Sequence, residues 1–257
     1  MIRKKDPIFK KMGYYSDQQG IMNRYLREGA EWKGHLENTK EFIINAARGK
    51  GNNSVVIFGS GWLLDVPLEF LCKNFNSVLL VDIFHPVQVQ HKIQKFKNAR
   101  LIFDDITGGI SKKIYHLTKN YLKTKSKIPL SDIKCDFSKF NFDCDFIVSL
   151  NILNQLDIII IDYLKKFDIY KKFELLEFRK YIQSSHIGLL PPNRSCLITD
   201  YEESIFNDKK ELEKTNPLVF TEIPGKDRSA EWQWKFDSDQ TYYPGKNVVF
   251  KVIALEI

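Results

Sequence analysis

The feature that most constrains the fold is a regular alternation of short apolar runs with helical stretches, which begins at Ser54. The apolar runs have the length and composition of buried strands, and stretches with helical spacing separate them. Such an alternation is typical of β-α-β units, in which helices cover both faces of a parallel sheet. The sequence therefore predicts a doubly wound, mostly parallel α/β sheet. Its strand-like runs occupy 55–59, 78–82, 99–105, 145–150 and 195–200.

The segments outside this alternation predict the rest of the architecture. Residues 1–50 have apolar side chains at helical spacing and contain no strand-like run, which indicates N-terminal helices before a domain over 51–257. Two strand-like runs near the end, at 218–223 and 247–257, predict a C-terminal antiparallel hairpin at one edge of the sheet. The amphipathic segment 152–190 falls between the fourth and fifth strands. We expect it to form a helical lid insertion over the ligand crevice, which in such a fold lies at the carboxyl ends of the strands.

The composition indicates a globular chain with a basic surface. Hydrophobic residues make up 43% and charged residues 28%, which excludes a disordered or collagen-like chain. The net charge of +7 would permit contact with nucleic acid. The basic residues are scattered, however. Local density occurs only between Lys112 and Lys127 and in an N-terminal cluster of Arg3, Lys4, Lys5, Lys10 and Lys11. A solvated, lysine-rich surface is the favoured interpretation, and it argues against nucleic acid as a partner.

Cysteine spacing and hydropathy exclude further classes of protein. The cysteines lie far apart and form no CxxC pair, so we expect buried free thiols and no metal site. The N-terminal sequence MIRKKDPIFKK has positive charge but no apolar core after it, so no signal peptide is expected. The most apolar run, 158–161, is short and lies between Asp157 and Asp162, so no membrane span is expected. The predicted setting is cytoplasmic. The oligomeric state stays open. The cysteines are Cys72, Cys135, Cys144 and Cys196.

A glycine turn joins the first predicted strand to a helix in the sequence VVIFGSGWLLD. Gly59 and Gly61, on either side of Ser60, lack Cβ atoms, so the turn can tighten and a ligand can approach the backbone. The second strand ends in Asp82, about twenty residues further on, where a carboxylate can accept hydrogen bonds from both ribose hydroxyls of a nucleoside. The alternative is that the glycines and Asp82 only shape the ends of the strands.

Polar residues also stand at the ends of the third and fourth predicted strands. The third ends in Asp104 and Asp105, either of which could accept a hydrogen bond from an adenine amino group. The fourth runs into Ser149, Leu150 and Asn151. A doubly wound fold brings the carboxyl ends of these strands to one crevice. The glycine turn and the polar strand ends, taken in this order, are therefore a more specific sign of a nucleoside-binding crevice than any one of them alone.

With these residues in this order, the segment 54–257 resembles the class I S-adenosylmethionine-dependent methyltransferases. The resemblance implies a Rossmann-like fold, S-adenosylmethionine as cofactor and methyl transfer as activity. By matching position it places Gly59, Ser60 and Gly61 at the methionine end, Asp82 and Ile83 at the ribose, Asp104, Asp105 and Ile106 at the adenine, and Ser149, Leu150 and Asn151 on the side that faces the methyl group.

The chain departs from the family pattern at the glycine turn. Many members have an acidic residue just before the first glycine and a third glycine after the second, whereas this chain has Ile57 and Phe58, then Trp62 and Leu63. An NAD-type fingerprint fits less well, because its third glycine would fall at Leu64. The segments GSGWLLDVPLEFL, DDITGG and SLNILNQL resemble a subgroup of bacterial proteins with this fold. That closer resemblance implies no particular substrate.

Methyl transfer from a sulfonium needs alignment, and it needs a base when the acceptor must lose a proton. His186, just before the fifth strand, is the candidate catalytic base because histidine titrates near neutral pH. The alternative is a helix-end histidine bonded to a carbonyl. Trp32 and His35, and the alternating pair Trp232 and Trp234, are candidates for substrate binding. Packing of the N-terminal helical lead-in, residues 1–50, and of the sheet would explain these residues equally well.

The predicted function is metal-independent methyl transfer to a small-molecule acceptor. Two alternatives stay open. One is a module that binds S-adenosylmethionine or its demethylated product, S-adenosylhomocysteine, without turnover. The other is a nucleic-acid methyltransferase, which would require the scattered lysines to gather on the face of the crevice.

Overall fold

The computed structural model describes residues 6–140, 143–224 and 229–257. Arg3, Lys4 and Lys5 of the N-terminal basic cluster lie outside the described residues. The helices are α1 (Pro7–Met12), α2 (Tyr14–Ala47), α3 (Leu68–Asn74), α4 (Val87–Ile93), α5 (Ile110–Thr124), α6 (Gln155–Lys165) and α7 (Lys172–Ile187). The strands are β1 (Ser54–Phe58), β2 (Ser77–Asp82), β3 (Ala99–Phe103), β4 (Phe146–Leu150), β5 (Ser195–Phe206), β6 (Leu212–Pro217), β7 (Ser229–Asp237) and β8 (Asn247–Glu256).

Within the described residues, these eight strands form one sheet. Its order is β3-β2-β1-β4-β5-β8-β7, and β6 pairs with the outer half of β5. The strands β1 to β5 pair in parallel, whereas β8 is antiparallel to both β5 and β7. This confirms the predicted Rossmann-like α/β class with an antiparallel C-terminal pair. The strand order reverses between β1 and β4, and an open α/β sheet has its ligand crevice at such a point.

The C-terminal antiparallel pair is built from a different segment than the sequence predicted. The run 247–257 forms β8 as expected, but 218–223 is not a strand. Its backbone is bonded elsewhere, because Leu218 N donates to Tyr201 O and Phe220 N donates to the Gln183 side chain. The partner of β8 is β7, which contains Trp232 and Trp234.

Helices cover both faces of the sheet. One face packs against α5, α6 and α7, with Ile114, Ile160 and Phe178 in its core. The other face packs against α2, α3 and α4, and the buried Trp32 of α2 donates its Nε1–H to Phe236 O at 3.0 Å. The lead-in is therefore helical, as predicted, and its long helix is anchored on the antiparallel end of the sheet. It ends at Ala47, before the predicted boundary at residue 50.

The predicted insertion 152–190 consists of α6 and α7, which join β4 to β5. Leu164 and Phe178 lie in the core as the amphipathic pattern indicated, whereas Phe173 and Leu176 are exposed. Only its beginning, 152–159, borders the cavity described below. The role of this segment as a lid stays a prediction.

Candidate functional site

A cavity of about 430 Å³ opens at the carboxyl ends of the parallel strands. Strand ends supply Gly59 and Gly61 after β1, Asp82 from β2, Asn151 after β4 and Asp200 from β5. The helix α2 forms one wall, and aromatic side chains of β7, β8 and their connection form another. A cavity of this size lies in the range that binds small organic ligands.

Asp82 connects the glycine turn to the end of β2. Its Oδ2 accepts from Gly61 N at 2.8 Å, and its Oδ1 accepts from Phe84 N at 3.3 Å. Gln18 on α2 reaches the same place, because its Nε2 donates to Phe84 O at 2.7 Å and lies 3.5 Å from Asp82 Oδ1. Burial raises the pKa of Asp82 to about 6. The predicted ribose acid therefore lies in the cavity, together with its neighbour Ile83.

The two glycines of the turn differ in how closely other atoms approach them. At Gly59, which has a φ of +83°, a Cβ would lie 2.1 Å from Ile152 Cγ2 and 2.5 Å from Leu150 O. Close approach of the chain after β4 therefore requires this glycine. At Gly61 a Cβ would meet Asp82 Oδ2 only at 3.6 Å. Between them, the buried Ser60 Oγ is 2.9 Å from His85 Nε2 and in hydrogen-bond contact with it.

Asp105 stabilises the chain just before α5. Its Oδ1 accepts from Thr107 N at 3.1 Å and Thr107 Oγ1 at 2.6 Å, and its Oδ2 accepts from Ser111 N at 3.2 Å. Burial raises the pKa of this carboxyl. Asp104 accepts from Asp105 N and does not line the cavity, whereas Asp105 and Ile106 do. The adenine assignment stays a prediction, and Ile106 offers the apolar surface for it.

The candidate base His186 does not lie at the cavity. It is 1% exposed, and its Nε2 forms a hydrogen bond of 2.8 Å with Ser149 Oγ, which is itself buried. Burial lowers the pKa of His186 to about 4. The reason is that α7 packs on the face of the sheet and carries this side chain into the core. The prediction that His186 acts on the acceptor is therefore wrong on position, and Ser149 supports the core rather than a ligand.

The other predicted residues around the end of β4 come together. Asn151, in the left-handed region with a φ of +48°, donates from Nδ2 to Asp65 Oδ2 at 2.8 Å. The same amide lies 3.3 Å from His35 Nε2. The other ring nitrogen of His35 accepts from Trp232 Nε1 at 3.1 Å, and the ring stacks on Trp234 with centroids 3.9 Å apart. Burial lowers the pKa of His35 to about 3, so the ring is neutral.

Asp200 is a cavity residue that the sequence analysis did not single out. It lies 2% exposed where the pairing of β5 with β8 shifts register. Asn154 Nδ2 donates to Asp200 Oδ2 at 2.8 Å, while Oδ1 of each side chain has no partner among the described residues. Burial raises the pKa of Asp200 to about 7. The sequence did contain a signal for Asp200, because the strand-like run SCLITD ends in this aspartate just as the second strand ends in Asp82.

An aromatic wall stands beside Asp200. Phe236 and Phe250 stack with centroids 4.4 Å apart, and the Arg24 guanidinium of α2 lies 4.5 Å from the Phe236 ring and 5.0 Å from that of Tyr242. Arg24 Nε is also 3.6 Å from Oδ1 of the fully buried Asp237. Asp237 therefore balances the positive charge of Arg24, which itself lines the cavity.

No protein-family model matches the chain, and no curated protein matches it significantly. Solved structures do align with it. One is the N-methyltransferase NodS from Bradyrhizobium japonicum WM9 in complex with S-adenosylhomocysteine, at 11% identity and a TM-score of 0.35, covering 86% of this chain and 87% of that one. Another is a Burkholderia thailandensis 1,6-didemethyltoxoflavin-N1-methyltransferase with bound 1,6-didemethyltoxoflavin and S-adenosylhomocysteine, at 11% identity and a TM-score of 0.42, covering 95% of this chain and 90% of that one. Similarities this low do not identify a substrate.

Other classes of site are not apparent in the described residues. Across 6–140, 143–224 and 229–257, no three or more histidine, cysteine or acidic side chains lie together in a way that could hold a metal ion. In those same ranges no helix is long and apolar enough to cross a membrane. The four cysteines are free thiols. Cys144 and Cys196 are buried as predicted, whereas Cys72 and Cys135 are only half-buried, so the predicted burial is wrong for these two.

Proposed function

We propose that this chain transfers a methyl group from S-adenosylmethionine to a small organic acceptor. The observation that carries the proposal is the placement of the turn at Gly61 and the carboxylate of Asp82 in the same cavity as an aromatic wall. The turn suits the amino-acid part of the cofactor, and the carboxylate suits its nucleoside part. The aromatic wall at the other end leaves a place for a second ligand.

Each end of the cavity has a distinct task in this function. Asp82 accepts hydrogen bonds from the ribose hydroxyls, and Ile106 contacts the adenine ring. The aromatic wall and the stacked pair of His35 and Trp234 hold the acceptor. The bound cofactor supplies an electrophilic methyl group on a sulfonium, so the protein contributes mainly alignment and the exclusion of water.

The wall that α2 forms along the cavity favours a small acceptor over a nucleic acid. The wall formed by α2 includes Gln18, which hydrogen-bonds to the backbone beside Asp82, and Trp62 Nε1 donates to Gln18 O at 2.7 Å. These contacts hold the helix across the cofactor end. A cavity of about 430 Å³ with α2 as one wall suits a small molecule better than an extended strand.

Calorimetry with S-adenosylhomocysteine and with NAD tests the cofactor. We expect S-adenosylhomocysteine to bind and NAD not to bind. Asp82→Asn should weaken binding by about 1.5 to 3 kcal/mol, or roughly 10- to 150-fold, because a charged acceptor of the ribose hydroxyls is lost. Asp208→Asn, an exposed aspartate in a turn, is the matched control. Unchanged affinity in a folded Asp82→Asn variant would refute the ribose assignment.

Turnover separates an enzyme from a binding module. The protein is incubated with S-adenosylmethionine and pools of small metabolites, and S-adenosylhomocysteine is measured by mass spectrometry. We expect at least one pool to raise its formation above the level without acceptor. Tight binding of S-adenosylhomocysteine with no pool raising turnover would favour the non-catalytic module.

A further inference from the structure

Two neighbouring side chains at the far end of the cavity present hydrogen-bond acceptors without donors. Asp200 and Asn154 are bonded to each other through Oδ2 and Nδ2, and each keeps a buried Oδ1 with no partner among the described residues. When Asp200 is ionised, this pair sets the orientation of the Asn154 amide, because the flipped form would place two acceptor oxygens against each other. Buried acceptors without donors cost stability, and a ligand that donates to both would remove that cost.

The chemistry of these acceptors selects the group that fits them. A hydroxyl has one hydrogen to donate, whereas an amino group has two or three on a single atom. An amino group can therefore serve the oxygens of Asp200 and Asn154 together. The stacked rings of Phe236 and Phe250, with Tyr242 in the same lining, suit an aromatic body attached to that amine.

The structure thereby deepens the proposed function, on which this inference rests. We propose that the methyl acceptor is an arylalkylamine, in which a saturated carbon joins the amino group to an aromatic ring; that Asp200 and Asn154 hold it through its amino group; and that the Asp200 carboxylate accepts the proton that the nitrogen loses. This gives Asp200 the catalytic role that the sequence had assigned to His186.

The transfer balances with these groups. The bound ammonium group first gives one proton to Asp200 Oδ1, which frees the nitrogen lone pair. The lone pair forms the new N–C bond while the C–S bond breaks, and the electron pair of the C–S bond stays on sulfur. The sulfonium becomes the neutral thioether S-adenosylhomocysteine. The methylated nitrogen leaves as a cationic ammonium group, and solvent removes the proton from Asp200 Oδ1.

The charged and titratable surroundings of Asp200 agree with that role. Glu203 on the same strand is a second acidic group, which favours protonation of Asp200. Tyr242 faces it from the connection between β7 and β8, and Arg24 on α2 is paired with Asp237. Burial places the pKa of Asp200 near 7, in the range where a base can both accept and release a proton at neutral pH.

A matched pair of probes tests the inference. Benzylamine and benzyl alcohol share the ring and differ in the donor group, and their binding to the full chain loaded with S-adenosylhomocysteine is measured by ligand-observed NMR. We expect benzylamine to bind about 10-fold more tightly, because a charge-assisted hydrogen bond is gained. The preference should increase as the pH rises through 7 and Asp200 ionises.

Asp200→Asn should abolish the preference and its pH dependence while the affinity for S-adenosylhomocysteine stays unchanged, and Asp208→Asn should alter none of these. Equal binding of the two probes, no binding of either, or a preference that persists in Asp200→Asn overturns the inference. Failure of the proposed function is distinguishable, since in that case wild-type protein does not bind S-adenosylhomocysteine at all. With S-adenosylmethionine present, N-methylbenzylamine should accumulate in the wild type and not in Asp200→Asn.

Discussion

The replacement Asp200→Asn should change the pH dependence of stability as well as ligand binding. The Asp200 carboxyl is 2% exposed, and among the described residues its charged form is stabilised by the backbone of Asp200 itself and by Asn154 Nδ2. Burial raises its pKa from 3.8 to about 7. The folded state therefore prefers the protonated carboxyl, and ionisation at neutral pH costs folding free energy.

The size of the effect follows from the two pKa values. One pH unit corresponds to 1.36 kcal/mol, so the rise to about 7 corresponds to roughly 4 kcal/mol. A carboxyl whose folded pKa is raised contributes its full stabilisation below pH 3.8 and loses it as the pH rises through about 7. Asparagine has the same shape and does not titrate. Relative to wild type, Asp200→Asn should therefore gain about 4 kcal/mol of unfolding free energy between about pH 4 and pH 8.

Urea unfolding of both proteins at several values across that pH range measures this difference. Other buried carboxyls, Asp82 and Asp157 among them, titrate in both proteins and cancel in the comparison. Asp208→Asn should follow wild type throughout. A stability difference between Asp200→Asn and wild type that stays constant with pH would show that Asp200 is not a buried, titrating carboxyl.

Three further results are expected. Gly59→Ala should destabilise the fold by about 2 kcal/mol or more, because its Cβ would overlap Ile152, whereas Gly34→Ala on the open side of α2 should stabilise slightly; thermal unfolding compares them. Hydrogen exchange with S-adenosylhomocysteine should show added protection at 59–61 and in the 152–190 segment, concentrated at 152–159; protection at the turn alone, even with acceptor present, would mean that this segment is fixed structure. Generic DNA or RNA should bind at roughly 10⁻⁴ to 10⁻⁶ M or more weakly near physiological salt, and a tight sequence-selective complex would contradict the small-molecule assignment.

The sequence by itself determined the element types and the residues at the strand ends. Apolar runs separated by helical periodicity identified the parallel sheet, since a strand buried on both faces has to be apolar along its length. The residues directly after those runs were then at the carboxyl edge, which is why Gly61, Asp82 and Asn151 were found. This information is local, because it depends only on spacing along the chain.

Only the tertiary structure decided how distant segments combine. The choice of β7 rather than 218–223 as the partner of β8 depends on packing against α2, and the burial of His186 depends on which face of the sheet α7 covers. Asp200 became a candidate base only when Asn154 and the aromatic wall enclosed it, because loss of water raises the pKa of a carboxyl. The spacing of residues along the chain does not indicate which elements will exclude that water.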